Sequence, residues 1–370
     1  MRKIKTGVIG CGKVGHYHAQ CYQQLENSEF VAACNHNLGR AEEFAQRYGV
    51  RAFDSVEEMV RETGVEAVSI CTPHPNHAAM AVEAARLGVH VAIEKPLAST
   101  LADCDAMISA VEKSGVVGSM VCQRRFYRPA QRVHQAIVDG KIGKPILGSL
   151  NMLGWRDMNY YHSDPWRGTW AGEGGGVLVN QSVHQMDLLL WYMGEIQELY
   201  GMWDTLNHPE LEVDDTAVAV LRFRSGALGT ISVSNSQDPA LFGNVRVHGS
   251  NGASVGVQTD GGAMFIAGMT SIAEPPVNDL WTVPGEADRL EAYQKADSDF
   301  FNSVDSTTFF HREQLADFLD AIARNRPPLV SLADGRRTVE LFTAIYRSQR
   351  DKTLIRFPLE PEADDLKWTK

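Results

Sequence analysis

The sequence predicts an α/β protein of two domains, the first built on a parallel sheet and the second on a large, mostly antiparallel open sheet. At 370 residues the chain exceeds the length at which one hydrophobic core usually keeps growing. Up to about residue 122, short apolar runs alternate with amphipathic helical stretches, which is typical of parallel strands with helical crossovers. Beyond that point the pattern is strand-rich. We therefore assign residues 1–123 to the first domain and residues 124–370 to the second, and we allow for the final helices packing back on the first domain.

The first domain has the element order of a doubly wound fold. Strands are predicted at residues 4–9, 30–34, 67–71, 89–93 and 118–122, and helices at 39–48, 78–87 and 101–114. In open parallel sheets the ligand binds outside the carboxyl ends of the strands. We therefore expect functional residues in the segments 72–77, 94–96 and 123–125, which follow three of these strands.

A glycine-rich turn follows the first strand. Its glycines are Gly10, Gly12 and Gly15, and Lys13 and Val14 stand between the last two. Gly10 allows a tight turn, Gly12 leaves room for a pyrophosphate, and Gly15 lets the next helix pack closely on the sheet. An anion then binds at the N-terminus of that helix. In this context the pattern predicts a dinucleotide-binding Rossmann domain, with all five residues at the cofactor.

The residue after the second strand bears on the choice of dinucleotide. Asn35 stands where an acidic residue commonly binds the ribose, with His36 next to it and Arg40 within about a turn. An asparagine can bond a ribose hydroxyl, but it does not repel a ribose phosphate as a carboxylate would. We assign these three residues to the cofactor and favour NAD, with NADP as the alternative. Asn35 could instead only cap the helix at 39–48.

Polar residues at the later strand ends complete the expected cofactor site. They are Thr72, Pro73, His74, His77, Glu94, Lys95 and Gln123. Three of them have simpler explanations, since His77 could help the turn at Asn76 start its helix, Glu94 could merely hold its loop, and Lys95 could be a solvated lysine at a strand end. The histidines form no established zinc pattern, so we predict no metal site.

The second domain shows a hairpin and several further strand-like runs. The hairpin covers residues 215–223 and 227–234, other runs are at 146–153, 199–203 and 245–248, and helices are predicted at 311–324 and 334–347. Residues 270–308 lack any period and are predicted to be a long surface loop or arm. An open sheet with a broad apolar face needs a cover, so we expect the chain to self-associate through this sheet as a dimer or tetramer.

Composition excludes some classes of protein. A net charge of −11 argues against a nucleic-acid surface, and no segment approaches a membrane span. The six cysteines all lie in the first third of the chain, inside apolar runs and without a spaced framework. We interpret them as reduced thiols and expect a cytoplasmic protein.

A third segment carries candidate chemistry. Three glycines, 174–176, precede Asn180 and His184, which are four residues apart and would share one face of a helix. A histidine of ordinary pKa, about 6.5, suits the removal of a hydroxyl proton as hydride leaves for a nicotinamide. The Lys95 ammonium would stabilise the developing alkoxide, and Asn180 would bond a neighbouring hydroxyl. The alternative for His184 is a satisfied histidine buried under the sheet.

Aromatic and arginine side chains point to a hydroxyl-rich ring as substrate. Sugar C–H faces pack on aromatic rings, while each hydroxyl needs a hydrogen-bond partner. The candidate substrate-binding residues are Asn180, Arg156, Tyr160, Tyr161, Trp166, Arg167 and Arg125. The tryptophans could also fill a domain boundary, and Arg125 could be an ordinary hinge-surface residue.

Over nearly its whole length the chain resembles the glucose-fructose oxidoreductase, inositol dehydrogenase and MocA family. The likeness rests on the glycine-rich turn, Thr72-Pro73 with His77, Glu94-Lys95-Pro96, the triple glycine with Asn180, His184 and Asp187, and the tail from Asp317 to Pro328. The resemblance implies a Rossmann domain, a second domain on a large open sheet, and oligomers formed through that sheet. It also implies that Lys95 is the cofactor-side lysine, followed by a cis-proline, and that His184 is the catalytic histidine.

The resemblance suggests a branch of the family and leaves alternatives. Many members have aspartate at the position of Asn180, and Asn180-Gln181 after the segment 166–170 is similar to the branch that oxidises the third ring carbon of hexosides or nucleotide-sugars. The expected activity is hydride transfer between a nicotinamide and the C3 hydroxyl of a hexopyranoside. The alternatives are an NAD-dependent glycosidase that oxidises the ring transiently, an inositol or polyol dehydrogenase, and a non-catalytic dinucleotide-binding regulator.

Overall fold

In a computed structural model, residues 2–241, 243–259 and 274–368 are described. The chain divides into two compact units. The first comprises Met1–Gln123 with Thr307–Arg336, and the second comprises Arg124–Ser306 with Arg337–Lys370. The chain thus returns to the first unit near its C-terminus.

The helices and strands follow the order expected for two successive sheets. The strands are β1 (Ile4–Ile9), β2 (Ser28–Cys34), β3 (Arg51–Phe53), β4 (Ala67–Ile70), β5 (His90–Ile93), β6 (Gly118–Met120), β7 (Pro145–Leu153), β8 (Ile196–Asp204), β9 (Thr216–Phe223), β10 (Leu228–Ser234), β11 (Asn244–Gly249), β12 (Ser254–Gln258), β13 (Val277–Trp281) and β14 (Ile355–Arg356). The helices are α1 (Lys13–Gln24), α2 (Leu38–Tyr48), α3 (Val56–Thr63), α4 (His77–Arg86), α5 (Leu101–Ser114), α6 (Arg128–Val138), α7 (Met158–His162), α8 (Trp170–Glu173), α9 (Val183–Met193), α10 (Leu290–Asn302), α11 (Phe309–Arg324) and α12 (Leu332–Asp351).

The first unit is a Rossmann domain, as predicted. Its six strands are all parallel and lie in the order β3-β2-β1-β4-β5-β6. The strand order reverses between β1 and β4, and this switch point is where a doubly wound fold binds its ligand. Sequence signals set the helix ends. Helix α5, for example, begins after Thr100, whose hydroxyl accepts from the amide of Asp103, and ends before Gly115 at φ 65°.

The second unit is built on an eight-stranded sheet, which confirms the predicted large and mostly antiparallel sheet. The strand order is β13-β12-β11-β7-β10-β9-β8-β14, and only β7 and β10 are parallel neighbours. Helix α9 packs on β7 so closely that a Cβ at Gly148 would lie 2.9 Å from Met193. Ten of its eleven residues are buried, so α9 is covered on nearly every side.

Part of the opposite face of this sheet is exposed and apolar. On β9, Ala219 is buried, whereas its neighbours Val218 and Val220 are exposed. Tyr200 and Met202 of β8 pair with Val220 and Val218 and are exposed on the same face. We call these four side chains the outer apolar face.

The prediction of a long loop at residues 270–308 was wrong for the residues that the structure describes. They include β13 and α10, while residues 270–273 lie outside the described residues. The apolar period is weak there because polar pairs hold these elements in place. Buried Asn278 of β13 donates to the carbonyls of Pro129 and Gly256, and Asp297 of α10 forms an ion pair with Arg132. Across the described ranges, no helix is both long and apolar enough to cross a membrane.

Candidate functional site

The glycine-rich turn has the geometry that the sequence predicts. Gly10 has φ 102°, and a Cβ there would lie 2.6 Å from the backbone of Cys71. A Cβ at Gly15 would lie 2.2 Å from the carbonyl oxygen of Gly10, so α1 can approach β1 only at a glycine. At Gly12, by contrast, a Cβ would meet nothing within 4 Å. Gly10 and Gly15 therefore serve packing. Gly12 faces open space, as a bound pyrophosphate requires.

Cationic side chains line a cavity beside this turn. The cavity measures about 470 Å³, and Gly12, Lys13, Arg40 and Arg47 are among its lining residues. Val14 is half-buried in the first turn of α1. A glycine N-cap leaves the first amides of α1 to an anion, and the surrounding positive charge favours the same ligand.

The second strand ends at a tight polar turn. The side-chain oxygen of Asn35 accepts from the amide of Asn37 at 3.1 Å, and His36 and Arg40 are exposed. The N-cap of α2 is Asn37, whose side chain accepts from the amide of Arg40. The alternative that Asn35 caps this helix was therefore wrong.

Residues after β4 and β5 are tied together by His77. Its Nδ1 lies 3.0 Å from the carbonyl oxygen of Pro96, and its Nε2 lies 2.9 Å from that of Thr72. Burial lowers the pKa of His77, although the hydrogen bonds to these backbone carbonyls oppose that shift. His77 thus bridges two segments assigned to the cofactor. Its neighbour His74 stacks edge-on at 5.8 Å, and Pro73 is exposed.

Thr72 supports the fit of a dinucleotide to this domain. Its Oγ1 is buried and has no hydrogen-bond partner within the described part of the chain. A buried hydroxyl without a partner is costly, and a polar ligand would satisfy it. Together with the open space at Gly12, this shows that the residues present suit the predicted cofactor.

Lys95 stands half-buried at the end of β5, between Glu94 and a cis peptide bond to Pro96. Glu94 is turned inward: its Oε1 lies 2.8 Å from Nε2 of His18, and its Oε2 accepts from the amide of Lys95 at 3.2 Å. Burial raises the pKa of Glu94, but hydrogen bonding and nearby positive charge outweigh burial and lower it to about 2. Gln123, the last of the predicted cofactor residues, is buried in a 3₁₀ turn after β6.

In the second unit, the triple glycine leads into a π-helical turn at Val177–Gln181, and α9 begins only at Val183. The expectation of one continuous α-helical face for Asn180 and His184 was therefore wrong. Gly176 is required by the protein's own backbone, since a Cβ there would lie 1.8 Å from the carbonyl oxygen of Asp214. The Asp214 carboxylate accepts from the amides of Gly176 and Leu178 at 2.7 and 2.9 Å and holds this turn in place.

A cluster of polar side chains surrounds the hydroxyl of Tyr160, and we call it the Tyr160 cluster. Its other members are Arg167, Glu173, Asn180 and Gln181. Asn180 and Gln181 donate to the Tyr160 hydroxyl at 3.2 and 3.1 Å, and Arg167 lies 4.2 Å above the ring. The structure thus brings together three predicted substrate residues, Tyr160, Arg167 and Asn180.

Glu173 is a member of this cluster that the sequence did not single out. It is fully buried, accepts from the amide of Gly168 at 2.7 Å and also accepts from Asn180. Burial raises the pKa of Glu173 to about 7, although these hydrogen bonds and Arg167 lower it. The sequence offers one signal for Glu173, a carboxylate seven residues before Asn180. The two side chains meet because the chain reverses between the two residues.

The remaining predicted substrate residues border this cluster, with one exception. The guanidinium of Arg156 lies 5.3 Å from the Tyr160 ring, Tyr161 accepts from Asn235 at 3.1 Å, and Arg167 lies 4.4 Å over Trp166. Arg125 instead forms a buried, bidentate ion pair with Asp187, at 2.6 and 2.7 Å. Its role in substrate binding stays a prediction, and the pairing gives Asp187 a structural role.

His184 lies in the first turn of α9 and is 6% exposed. Its catalytic role stays a prediction, as does that of Lys95. Among the described residues, His18, Glu94 and His311 are a group that could offer three metal ligands, with ligand atoms within 4.8 Å of one another. No spacing in the sequence indicates this group, because its members come from α1, the end of β5 and α11.

The strand order and the glycine-rich turn define the first unit as a dinucleotide-binding Rossmann domain. Residues 4–122 match the family model of the GFO/IDH/MocA oxidoreductases, NAD-binding Rossmann fold, and residues 130–255 match that of the GFO/IDH/MocA C-terminal domain. The chain belongs to this family. It is an NAD-dependent oxidoreductase, and this replaces the alternative of a non-catalytic regulator.

Several relatives are similar over most of their length. Myo-inositol 2-dehydrogenase of Thermotoga maritima is 26% identical over 95% of this chain and 98% of its own. D-apiose dehydrogenase of Paraburkholderia graminis is 28% identical over 68% and 67%. The crystal structure of the WlbA dehydrogenase from Bordetella pertussis in complex with NADH and UDP-GlcNAcA superposes with a TM-score of 0.85 at 29% identity, covering 97% of this chain and 99% of that one.

Proposed function

We propose that the protein transfers hydride between NAD and the C3 hydroxyl of a hexopyranoside, with a nucleotide-sugar as the preferred form. The Tyr160 cluster carries this proposal, because it gathers a phenol, two amides, a guanidinium and a carboxyl in one place. Such a set offers both donors and acceptors to several ring hydroxyls. The similarity to the WlbA dehydrogenase, whose structure contains NADH and UDP-GlcNAcA, supports a nucleotide-sugar.

The cofactor is held by the Rossmann residues. Gly12 and the start of α1 receive the pyrophosphate, Gly10 and Gly15 allow the tight turn and the close packing of α1, and Asn35 bonds the ribose. Thr72 and Gln123 supply further polar groups at the strand ends. When bound, the nicotinamide accepts the hydride that leaves the carbinol carbon.

His184 and Lys95 carry the proton chemistry. His184 removes the hydroxyl proton as general base, since an imidazole is matched to that task near neutral pH. The Lys95 ammonium stabilises the negative charge that develops on the same oxygen. Asn180 orients the ring by bonding a neighbouring hydroxyl, which contributes position.

The substrate assignment is tested by a panel of sugars incubated with NAD and followed by nicotinamide absorbance. The panel contains a UDP-hexuronic acid, a simple hexopyranoside and myo-inositol. We expect the highest kcat/KM with the UDP-sugar and product oxidised at C3 by NMR. Oxidation of myo-inositol alone would overturn the hexopyranoside assignment and favour the polyol alternative, which the Thermotoga relative supports.

The residue assignment is tested by Lys95→Ala and His184→Ala. We expect each to lower kcat by at least about 100-fold, the lower range for loss of one acid–base or electrostatic group. Lys295→Ala is the matched control, because Lys295 is exposed on α10. Turnover near the wild-type value in either site variant would contradict the assigned role.

The outer apolar face is the surface through which we propose self-association. Tyr200, Met202, Val218 and Val220 are between 40% and 59% exposed and adjoin one another across β8 and β9. A contiguous apolar sheet face is unusual on a monomer. A second copy of the chain, presenting the same face about a two-fold axis, is the occupant that we propose.

A cytoplasmic location is proposed on the cysteines. All six are thiols rather than disulfides, and four of them are buried. Reduced thiols are typical of cytosolic proteins.

A further inference from the structure

A chain of buried hydrogen bonds runs from α1 to the residue before Lys95. The hydroxyl of Tyr22 lies 2.7 Å from that of Ser69, which lies 2.8 Å from Nδ1 of His18. Nε2 of His18 lies 2.8 Å from Glu94. Tyr22, His18 and Ser69 are wholly inaccessible to solvent, and Glu94 is 8% exposed.

One assignment of protons satisfies every group in this chain. The Tyr22 hydroxyl donates to Ser69, the Ser69 hydroxyl donates to Nδ1 of His18, and Nε2–H of His18 donates to the Glu94 carboxylate. Buried polar groups are stable only when paired, so the network admits few other arrangements. His18 is thereby held in one tautomer and one orientation.

Glu94 is fixed from three sides. Its amide donates to the carbonyl of Ile70 at 3.0 Å, one carboxylate oxygen faces His18, and the other accepts from the amide of Lys95 at 3.2 Å. The side chain of His18 therefore acts on the backbone of Lys95 through a single carboxylate. The buried carboxylate of Glu94 is costly to desolvate. If Lys95 had no function, the end of β5 would not need this buried charge.

We propose that His18 and Glu94 are positioning residues that hold Lys95 in its working orientation. The inference rests on the role of Lys95 given under the proposed function. The contacts of Glu94 carry the proposal: one carboxylate oxygen lies 2.8 Å from Nε2 of His18, and the other accepts from the amide of Lys95 at 3.2 Å.

The experiment compares substitutions in two backgrounds. His18→Gln and Glu94→Gln are each made in the wild-type enzyme and in Lys95→Ala. In the wild type we expect kcat to fall 10- to 100-fold, the range for a group that orients an active-site residue. In Lys95→Ala we expect no further fall, because the group through which they act is gone. Tyr22→Phe is the control, because Tyr22 is as fully buried as His18. It removes only the hydroxyl at the far end of the chain of hydrogen bonds, and we expect kcat to change less than threefold.

Two further measurements separate positioning from folding. NADH binding by fluorescence and the thermal midpoint report whether each variant still forms the domain. Should Glu94→Gln fail to fold, Ser69→Ala weakens the hold on His18 with little change of volume, and we expect a smaller loss of kcat that again disappears in Lys95→Ala.

The possible outcomes differ in what they overturn. Equal losses of kcat in both backgrounds would show that His18 and Glu94 do not act through Lys95, and the inference would be wrong while the proposed function stands. Wild-type turnover in Lys95→Ala itself would overturn the assigned role of Lys95 and the inference with it. Elemental analysis that finds one tightly bound metal ion per chain, lost in His18→Gln, would show that His18, Glu94 and His311 are ligands and would overturn the hydrogen-bonded arrangement.

Discussion

Among single residues, Glu173 is distinguished by a carboxyl that is fully buried yet retains hydrogen bonds to Gly168 and Asn180. Burial outweighs those bonds and raises its pKa to about 7 from an ordinary value of 4.5. Between these two pH values the folded state therefore binds more protons than the unfolded state. The free energy of unfolding must fall as pH rises through this window.

Glu173→Gln should remove this pH dependence. The contribution lost by the wild type between pH 4.5 and pH 7 is on the order of 3 kcal/mol, at 1.36 kcal/mol per pKa unit. Urea unfolding at pH 5 and pH 8 measures it, with Glu210→Gln on the surface as the control. An equal slope of stability against pH in Glu173→Gln and wild type would show that Glu173 is not the titrating group.

We propose that Asn35 governs the choice of dinucleotide. Because Asn35 is neutral and Arg40 borders the neighbouring cavity, we expect measurable turnover with NADP as well as NAD. Asn35→Asp places a carboxylate at this position, and we expect the ratio of kcat/KM for NAD over NADP to rise at least about tenfold, since like charges repel. Steady-state kinetics with both cofactors measures the ratio, and Asn207→Asp is a control remote in sequence. An unchanged ratio would remove Asn35 from the cofactor site.

At the level of elements, the two glycine-rich turns look alike in sequence and differ in what surrounds them. Gly12 faces open space, whereas Gly176 is pressed against the backbone of Asp214. Gly12→Ala should therefore leave the thermal midpoint nearly unchanged and weaken NAD binding. Gly176→Ala should destabilise the fold by about 3 kcal/mol, the upper part of the range for overpacking.

Each of these variants is the control for the other. Thermal unfolding and NAD titration on both proteins test the pair. Loss of stability in Gly12→Ala without loss of NAD affinity would assign that glycine to packing and contradict its role in the Rossmann turn.

Elements with a clear apolar period were predictable, and those stabilised by polar pairs were not. Strand β1 and helix α5 match the predicted bounds, because buried apolar runs and a threonine cap mark them locally. Helix α10 lacks such a signal, since its contacts include the Asp297–Arg132 ion pair and Arg128 over Phe300. Contacts between residues this far apart in the sequence produce no periodic pattern within the helix.

At the scale of the whole molecule, we propose that the outer apolar face decides the state of assembly. Val220→Glu places a charge at its centre, and we expect the protein to shift towards monomer because an unpaired charge in an apolar interface is costly. Sedimentation velocity measures the change, and Leu206→Glu, at a 70% exposed position outside the sheet, is the control. Identical sedimentation of Val220→Glu and wild type would show that this face is not the interface.

Helix α11 supplies hydrogen bonds to the end of a strand that is distant in the sequence. Its Gln314 accepts from the amide of Cys122 at 2.8 Å and donates to the carbonyl of Met120 at 2.7 Å, so a side-chain amide pairs with backbone groups at the end of β6. These partners are nearly two hundred residues apart. Nothing in a helical pattern indicates which of its polar residues will make such bonds.

The sequence by itself determined the two sheets, the glycine-rich turn, the strand ends that carry Lys95 and Thr72, and the family resemblance, because each depends on local periodicity or on a short motif. Only the tertiary structure decided that Glu173 lies against Asn180, that Arg125 pairs with Asp187, and that His18 reaches Glu94. Those contacts join residues from different elements. Side-chain partners of this kind follow from the packing of the whole fold, which no local pattern encodes.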